Sequence, residues 1–259
     1  MKYYVIADIH GFYEATRRAL DEKGFFNDTE PHKLIICGDL FDRGAEARRL
    51  QAFIEELMAR DEVILIKGNH EDLMVEMLDN FYDYLPSMVY THHYQNGTYD
   101  TALALTRMNK HDVEYNPEIF RKRMYATPYL KDIIPSMLDY YETEHYVFVH
   151  GYIPCQSVLV GQDRERFFGL ENWREASWQA WEKARWINGM AAWKCGVREE
   201  GKTIVCGHYH TSWGHSVIDG IGSEWGNDSV LEPFIKDGLI ALDGRVAFTK
   251  KVNCIVIED

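Results

Sequence analysis

The stretch KLIICGDLFDRG, residues 33–44, combines a buried strand with charged residues in a single turn. The apolar run 34–37 leads directly into Asp39, Asp42 and Arg43. Burying charged groups is costly unless each of them has a partner. The two carboxylates and the guanidinium therefore either neutralise one another or face a cation.

Length and composition indicate a folded protein with a substantial core. The chain has 259 residues, of which 46% are hydrophobic and 14% aromatic, and this excludes wholesale disorder. We expect one domain over residues 1–259, with a mainly helical insertion at 81–144. The start MKYYVIADIH does not have the pattern of a signal peptide, and no apolar run approaches the roughly 18 residues of a membrane span.

Charge and cysteine usage limit the partners and the compartment. A net charge of −13 argues against nonspecific binding to nucleic acid or to an anionic membrane, but not against a phosphorylated substrate. The cysteines are odd in number and lack CxxC spacing, which is typical of reduced thiols in a cytoplasmic protein. They are Cys37, Cys155, Cys195, Cys206 and Cys254.

Short apolar runs alternate with helical patterns and predict a mixed α/β fold. Helices are expected at about 12–22, 44–60 and 71–80, and the end of the chain is expected to form antiparallel strands. The predicted strands are 3–8, 33–39, 62–68, 145–151, 203–207, 238–243, 245–249 and 253–258.

Two segments depart from this alternation. The Tyr- and Met-rich segment 81–144 lacks clear strands and predicts the helical insertion, whereas 163–194 predicts an amphipathic helix. For the tryptophans in 173–193 we favour core packing over a stacking platform for a base. Asp243 and Arg245 are interpreted as a hairpin turn.

Potential metal ligands follow most of the predicted strands. Asp8 and His10 are two residues apart, and in an extended chain such residues project to the same side. Side chains at the carboxyl ends of strands converge in layered α/β folds. The candidate donors are Asp8, His10, Asp39, Asn69, His150, His208 and His210. Seven oxygen and imidazole donors suit two ions with a bridging carboxylate, and favour Mn, Fe, Zn or Co.

The motifs DIH, GDLFDRG, GNHE, VHG and GHYH, in this order, resemble the calcineurin-like metallophosphoesterase superfamily. The similarity is greatest to its phosphoprotein phosphatase and diadenosine tetraphosphatase branch. It implies a two-sheet β-sandwich flanked by helices, in a four-layer arrangement. It also implies two metal sites that share Asp39. One site would be formed by Asp8, His10, Asp39 and His210, and the other by Asp39, Asn69, His150 and His208.

The same resemblance implies roles for residues beside the ions. His70 would donate a proton to the leaving oxygen, Asp42 would orient His70, and Arg43 would grip phosphate in a bidentate fork. Arg185 is either a second phosphate-binding arginine or a surface helix arginine. The hypothetical reaction is in-line attack on phosphorus by a metal-bound hydroxide.

The resemblance therefore predicts a metal-dependent phosphatase, and three substrate classes stay open: phosphoproteins, dinucleoside polyphosphates and small phosphoesters. Lys67, Tyr152 and the second histidine of GHYH depart from the pattern of protein phosphatases. The alternative is a non-catalytic scaffold with the same fold that binds protein partners.

The remaining histidines are interpreted as surface or hydrogen-bonded core residues. One alternative is noted for the sequence THHY, in which His92 and His93 could be a pair of ligands. The histidines interpreted in this way are His32, His92, His93, His111, His145 and His215.

Overall fold

The structure, a computed structural model, describes residues 1–160 and 164–259 of the chain. The strands are β1 (Lys2–Ile6), β2 (His32–Cys37), β3 (Val63–Ile66), β4 (Tyr141–Glu142), β5 (Tyr146–Phe148), β6 (Cys155–Val160), β7 (Arg164–Gly169), β8 (Thr203–Cys206), β9 (Phe234–Lys236), β10 (Leu239–Ala241) and β11 (Cys254–Glu258).

The helices differ greatly in length, and the longest follow the first three strands. They are α1 (Tyr13–Glu22), α2 (Ala47–Ala59), α3 (Asn69–Asp79), α4 (Phe81–Tyr84), α5 (His92–Gln95), α6 (Thr98–Thr106), α7 (Lys110–Tyr115), α8 (Pro117–Tyr125), α9 (Ile134–Ser136), α10 (Trp178–Ala184), α11 (Gly189–Lys194), α12 (Ser212–Val217) and α13 (Val246–Thr249). Short 3₁₀ segments lie at Phe25–Asn27, Leu85–Tyr90 and Trp173–Glu175, and a π-helical turn at Tyr129–Ile133.

Two main sheets form the centre of the fold. The first has the order β11-β1-β2-β3, with β1, β2 and β3 parallel and β11 antiparallel to β1. The second has the order β4-β5-β8-β10-β9, with β5, β8 and β10 parallel. The carboxyl ends of these six parallel strands carry the loops that hold most of the candidate ligands.

Alternation along the strands explains why the sheets are layered. Tyr3 and Val5 of β1 pack into the apolar layer between the two sheets, together with Phe148 of β5. Tyr4 and Ile6 face the other way, into the core beneath the first group of helices. A third cluster buries the outer face of the second sheet under α10 and α11. The predicted α/β arrangement of two sheets flanked by helices is confirmed.

The helices that follow β2 and β3 are fixed by apolar spacing and by a cap. In α2 the buried residues Leu50, Phe53, Ile54 and Leu57 recur at helical spacing. At the start of α3, the Glu71 carboxylate accepts a hydrogen bond from the Gly68 backbone N–H.

The end of the chain differs from the sequence-based prediction. Residues 245–249 form helix α13, not a strand. Strand β10 pairs parallel with β8 and antiparallel with β9, and β11 joins the other sheet beside β1, so the expected antiparallel run is wrong. Arg245, at the start of α13, has a φ of 51°, a left-handed conformation that strand propensity does not anticipate.

The middle of the chain also differs in part. The segment predicted as one amphipathic helix over 163–194 contains β7, α10 and α11, and β6 pairs with β7 in a separate hairpin. Residue 163 lies outside the described residues. Residues 81–136 form the helices α4 to α9, and β4 follows them before residue 144. Within 1–160 and 164–259, no helix has both the length and the apolar character needed to cross a bilayer.

Candidate metal and phosphate site

The loops that carry the candidate site turn sharply because several of their residues adopt left-handed backbone conformations. This conformation is uncommon for residues other than glycine and is concentrated at functional sites. The φ values are 51° at Asp8, 44° at His10, 54° at Asp39, 73° at Asp42, 63° at Arg43 and 66° at His208. The expectation that Asp8 and His10 lie on an extended chain is therefore wrong. Tight loops, and not strand alternation, orient them.

Asp39 lies at the centre of the site. Its Oδ1 is 3.3 Å from His150 Nε2, and its Oδ2 is 3.7 Å from His10 Nε2 and 3.8 Å from His70 Nε2. Its carboxylate belongs to two groups of potential ligands, one with His10 and His70 and one with His150 and His208. Within each group the ligand atoms lie no more than 4.8 Å apart. One carboxylate is thus placed to contact two cations.

Asn69 connects the second group. Its side-chain Oδ1 is 2.8 Å from His150 Nε2 and 3.0 Å from His208 Nδ1. The other ring nitrogen of His150 lies 2.8 Å from the Cys37 carbonyl oxygen and must donate its proton there. His150 therefore presents an unprotonated Nε2 to the site, as a metal ligand does.

Asp8 and His210 lie outside these two close groups but at the same edge of the sheets. Asp8 is 1% exposed and accepts the backbone N–H of His208 at 3.0 and 2.9 Å. His210 Nδ1 is 2.7 Å from Ser212 Oγ. The buried Nε2 of His210 has no hydrogen-bond partner among the described residues, so a lone pair is free to bind a ligand.

The site contains a further buried carboxylate, Asp243, which sequence reasoning missed. It is 7% exposed, and burial raises its pKa to about 6 in spite of a hydrogen bond from the Arg245 backbone. Burial also raises the pKa of Asp8 well above its usual range, with the charges of Asp243 and Asp39 adding to the effect. The mutual repulsion of the buried carboxylates Asp8, Asp39 and Asp243 fits a site for divalent cations.

Asp243 follows strand β10, as Asp8 follows β1 and Asp39 follows β2. The hairpin-turn interpretation of Asp243 and Arg245 is wrong, since α13 follows them. The signal in the sequence was ALD at the end of an apolar run, the same pattern that drew attention to the other two aspartates.

Burial keeps four of the candidate ligand histidines uncharged. It lowers the pKa of His208 to about 3 and that of His210 to about 4. It also lowers the pKa of His150 and, more strongly, that of His10, where the Arg43 charge adds to the effect. Neutral imidazoles are the form that binds metals, so these histidines are ready to act as ligands.

His70 differs from these four histidines. Burial acts to lower its pKa, but the carboxylates of Asp39 and Asp42 outweigh burial and raise it. Its Nδ1 lies 2.7 Å from Asp42 Oδ2, and its backbone N–H donates to Asp39 Oδ1 at 3.1 Å. The Asp42 carboxylate thus holds the ring of His70 beside the site, and the Asp39 carboxylate holds its backbone.

Arg43 faces the imidazoles of the site. Its Nη1 is 2.7 Å from His10 Nε2, and its Nη2 is 3.0 Å from His70 Nε2. Both histidines use Nδ1 elsewhere, His10 at 2.9 Å from the Phe41 carbonyl oxygen and His70 at Asp42. The guanidinium therefore occupies the lone pair through which His10 would bind a cation.

Helix α6 of the segment 81–144 supports the GDLFDRG loop, and sequence reasoning missed this contact. Thr98 Oγ1 donates to Asp42 Oδ2 at 2.7 Å, and the Asp42 N–H donates to Thr101 Oγ1 at 3.0 Å. Gly97 precedes the helix with a φ of 86°, and a Cβ there would lie 2.5 Å from the backbone nitrogen of Arg43. No local motif marks these two threonines, because the contact joins distant parts of the chain.

Glu71, the last residue of the GNHE motif, holds the Asp39 loop in place. Its fully buried carboxylate accepts backbone N–H groups of Asp39 at 3.1 Å, Leu40 at 3.0 Å and Gly68 at 2.8 Å. A Cβ on Gly68 would lie 2.2 Å from Asp39 Oδ1. The turn therefore needs both the glutamate and the glycine.

Arg185 is neither on the surface nor free. It is 7% exposed, its Nε donates to Asp72 Oδ2 at 2.7 Å, and its Nη1 donates to Asp139 Oδ1 at 2.8 Å. The surface-arginine alternative is therefore wrong. The phosphate-binding alternative stays a prediction, because in this structure the guanidinium contacts carboxylates.

The tryptophans divide into buried and exposed sets. Trp173 and Trp181 are 2% and 3% exposed and pack in the core, as expected. Trp178 and Trp186 are 69% and 51% exposed, so the expectation of core packing is wrong for these two residues. The Trp186 ring lies 5.7 Å from that of His208, so an aromatic face borders the site.

Paired sheets with donor-bearing loops at one edge define a layered α/β protein with a candidate dinuclear metal site. The calcineurin-like phosphoesterase family model matches residues 1–247, and the chain belongs to that family.

Comparison with curated proteins finds nucleotide hydrolases. The symmetrical bis(5'-nucleosyl)-tetraphosphatase of Buchnera aphidicola subsp. Acyrthosiphon pisum (strain 5A) is 41% identical over 71 residues, 27% of this chain and 24% of that protein. The asymmetrical bis(5'-nucleosyl)-tetraphosphatase PrpE of Bacillus subtilis (strain 168) is 29% identical over 143 residues, 52% of this chain and 53% of that protein. The chain thus matches about a quarter of the first relative's length and about half of the second's.

A solved structure of a cold-active protein tyrosine phosphatase has a similar fold. It aligns with a TM-score of 0.56 at 17% identity and covers 99% of this chain and 73% of that one. At this identity the likeness concerns the fold alone.

Proposed function

We propose that the chain is a dinuclear metal-dependent phosphoesterase that hydrolyses the phosphoanhydride chain of dinucleoside polyphosphates. The observation that carries the proposal is the position of Asp39, whose carboxylate belongs to two ligand groups and lies beside the Asp42–His70 pair. Such a pair of sites suits two divalent ions, which when bound would polarise phosphoryl oxygens and lower the pKa of water.

Seven residues are proposed to hold the ions. Four of them, Asp8, His10, Asp39 and His210, would bind one ion, and Asp39, Asn69, His150 and His208 would bind the other. Neutral imidazoles and buried carboxylates support these residues as ligands, and so does the His210 Nε2, which has no hydrogen-bond partner among the described residues. The donors suit Mn, Fe, Zn or Co. Asp243 would add negative charge next to Asp8.

The groups beside the ions would position the phosphate and manage the proton. His70 would hold a proton on Nε2 and give it to the leaving oxygen, while Asp42 fixes its Nδ1. Arg43 is exposed and would leave His10 when the cation binds, turning its two N–H groups to phosphate oxygens. Thr98 would keep Asp42 aligned.

The substrate class is supported by the curated relatives and by exposed aromatic rings. Both relatives are named as bis(5'-nucleosyl)-tetraphosphatases. Trp186 borders His208, and Trp225, 63% exposed, lies 4.3 Å from the His210 ring. Exposed indoles offer stacking faces for purine bases, and such stacking contributes about 1–3 kcal/mol per base. The free thiols are consistent with the cytoplasm as the proposed compartment.

A substrate panel tests the proposal. We expect diadenosine tetraphosphate to give the highest kcat/KM with Mn²⁺, above a phosphothreonine peptide, p-nitrophenyl phosphate and bis-p-nitrophenyl phosphate. A peptide preference would move the assignment to protein phosphatases, and no hydrolysis of any substrate would favour the scaffold alternative.

A matched pair of variants tests the stacking contribution. Trp186→Ala should raise KM for the dinucleotide about tenfold or more, but not for p-nitrophenyl phosphate, because only the former has a base. Trp178→Ala, at an exposed tryptophan on helix α10, is the control and should leave both values unchanged.

A further inference from the structure

A second cluster of potential ligands lies where helix α3 ends near helix α5. Glu76 is on α3, and His92 and His93 are the first two residues of α5. His92 Nε2 is 3.5 Å from Glu76 Oε2, and His93 Nε2 is 3.9 Å from Glu76 Oε1. One ligand atom from each of the three residues falls within 4.8 Å of the others.

His93 is the unusual member of this cluster. Its side chain is completely buried, yet neither ring nitrogen has a hydrogen-bond partner within the described part of the chain. Buried polar atoms are nearly always paired, so an imidazole with two unpaired nitrogens lacks a partner that its position requires. The interpretation of His93 as a hydrogen-bonded core histidine is therefore wrong.

The contacts of His93 favour a role as a metal ligand. Both of its ring nitrogens lack a hydrogen-bond partner among the described residues, so one of them can offer its lone pair to a cation. The His93 Nε2 points toward the Glu76 carboxylate, which supplies negative charge at ligand distance.

We propose that Glu76, His92 and His93 form a third metal site, separate from the Asp39 cluster and suited to Zn²⁺. Two imidazoles and a carboxylate are a common zinc ligand set. Ligand atoms bound tetrahedrally at ~2.0–2.1 Å lie roughly 3.3–3.4 Å apart. The separations of 3.5 Å from His92 Nε2 to Glu76 Oε2 and 3.9 Å from His93 Nε2 to Glu76 Oε1 are close to this value, so a rotation of the carboxylate and small shifts of the rings would bring one oxygen and two nitrogens around an ion.

The cluster also has an outer support and an open side. Tyr84 donates its hydroxyl to Glu76 Oε1 at 2.7 Å, as groups beyond the direct ligands commonly do at metal sites. The side chains of Glu76 and His92 are 42% and 47% exposed, so solvent reaches the fourth coordination position. The ion would bind three protein atoms and one water.

The site would brace the segment that supports the phosphoesterase machinery. Helix α5 ends at Gln95, and three residues later Thr98 donates to Asp42. An ion that ties α5 to α3 would hold this segment against the GDLFDRG loop. Its proposed role is structural, and it does not depend on the reaction assigned to the Asp39 cluster.

Zinc stoichiometry tests the third site directly. Full-length wild type, His92→Ala, Glu76→Gln and the control His111→Ala are dialysed against zinc-buffered solution, and bound zinc per chain is measured by atomic emission. His92 and Glu76 are partly exposed, so replacing them does not disturb the core, and circular dichroism checks the fold. His111 is exposed and lies outside the cluster.

The expected result is one zinc fewer per chain in His92→Ala and in Glu76→Gln than in wild type, with His111→Ala unchanged. Equal counts in wild type and the two cluster variants would overturn the proposal. The test compares the zinc content of each variant with that of wild type, so the expected loss of one zinc does not depend on how many ions the Asp39 cluster binds. Repeating it in an Asp39→Asn background should lower the totals and preserve the difference of one.

A second readout uses stability. Zinc added to metal-free wild type should raise the melting temperature by more than in His92→Ala, since binding to the folded state stabilises it. Equal zinc-induced shifts in the two proteins would contradict a site at this cluster.

Discussion

His70 Nδ1 lies 2.7 Å from Asp42 Oδ2, and both side chains are buried beside Asp39. His70 is also next to Asn69 in the chain, but its ring is directed toward a carboxylate and Arg43 instead of the second ligand group. The contact with Asp42 therefore distinguishes His70, which would transfer a proton, from Asn69 and Asp39, which would bind ions.

Replacing His70 and Asp39 should therefore give different defects. His70→Asn is expected to lower kcat about 10²–10⁴-fold while metal content stays unchanged, because a general acid is lost. Asp39→Asn should lose bound metal as well as activity, because the shared carboxylate is lost. Metal analysis alongside hydrolysis of p-nitrophenyl phosphate measures both effects. Unchanged activity in both variants would remove the catalytic assignment.

Thr98 should act through Asp42. Thr98→Val removes the hydroxyl that donates to Asp42 Oδ2 and is expected to lower kcat about tenfold with little change in KM. A hydrogen bond to a charged group contributes about 1.5–3 kcal/mol, and only part of this reaches His70. Thr106→Val is the control, because the Thr106 hydroxyl donates to the carbonyls of Ala102 and Leu103 within the same helix. A drop of similar size in the control would mean that α6 itself is disturbed.

Arg185 should matter for stability. Arg185→Gln removes the buried partner of Asp72, which keeps its ion pair with Lys67, and is expected to cost ~2 kcal/mol, a fall in melting temperature of roughly 4–8 °C. Arg49→Gln, at an exposed ion pair, is the control and should change the melting temperature little. A raised KM with no change in melting temperature would instead support phosphate binding by Arg185.

The ion pair of Glu142 should make the protein less stable as the pH falls into the acid range. Hydrogen bonds from Arg174 and Lys202 outweigh burial and lower the pKa of Glu142 to about 2. The ion pair therefore stabilises the fold above the unfolded pKa of about 4.3, and this stabilisation is lost as the pH falls toward 2. After allowance for solvent screening, we expect the Glu142 ion pair to contribute ~1–2 kcal/mol to the free energy of unfolding at pH 7.

Melting curves of Glu142→Gln against wild type check this dependence. The difference in melting temperature should be present at pH 7 and disappear near pH 2. Glu171→Gln, at an exposed position, should show no such trend. A difference that persists at pH 2 would mean that Glu142 acts through packing instead of charge.

The sequence was sufficient for the fold class and the strand-end donors but not for the local geometry. Apolar runs ending in Asp8, Asp39 and Asn69 predicted where polar groups would meet, because parallel strands end at a common edge. The left-handed turn at Asp8 could not be predicted, since tertiary contacts impose it against local preference. Asp243 could have been found by the same strand-end pattern.

Other features depend on contacts between distant segments. Thr98 reaches Asp42 across 56 positions of the chain, and no local motif records such a contact. The pattern around Arg185 predicted a helix, but it could not reveal that Asp72 and Asp139 bury the guanidinium. In the same way, β-forming residues at 246–249 suggested a strand, whereas the turn at Arg245 directs them into a helix.

Anomalous diffraction from crystals grown with manganese tests the central assignment most directly. We expect two manganese peaks about 3.5–4 Å apart, one bound to each oxygen of Asp39 or both to a single shared oxygen. His150 should contact one ion and His10 the other, with the Arg43 guanidinium displaced from His10. A map with no peak within ligand distance of Asp39, or with only one, would contradict a dinuclear site.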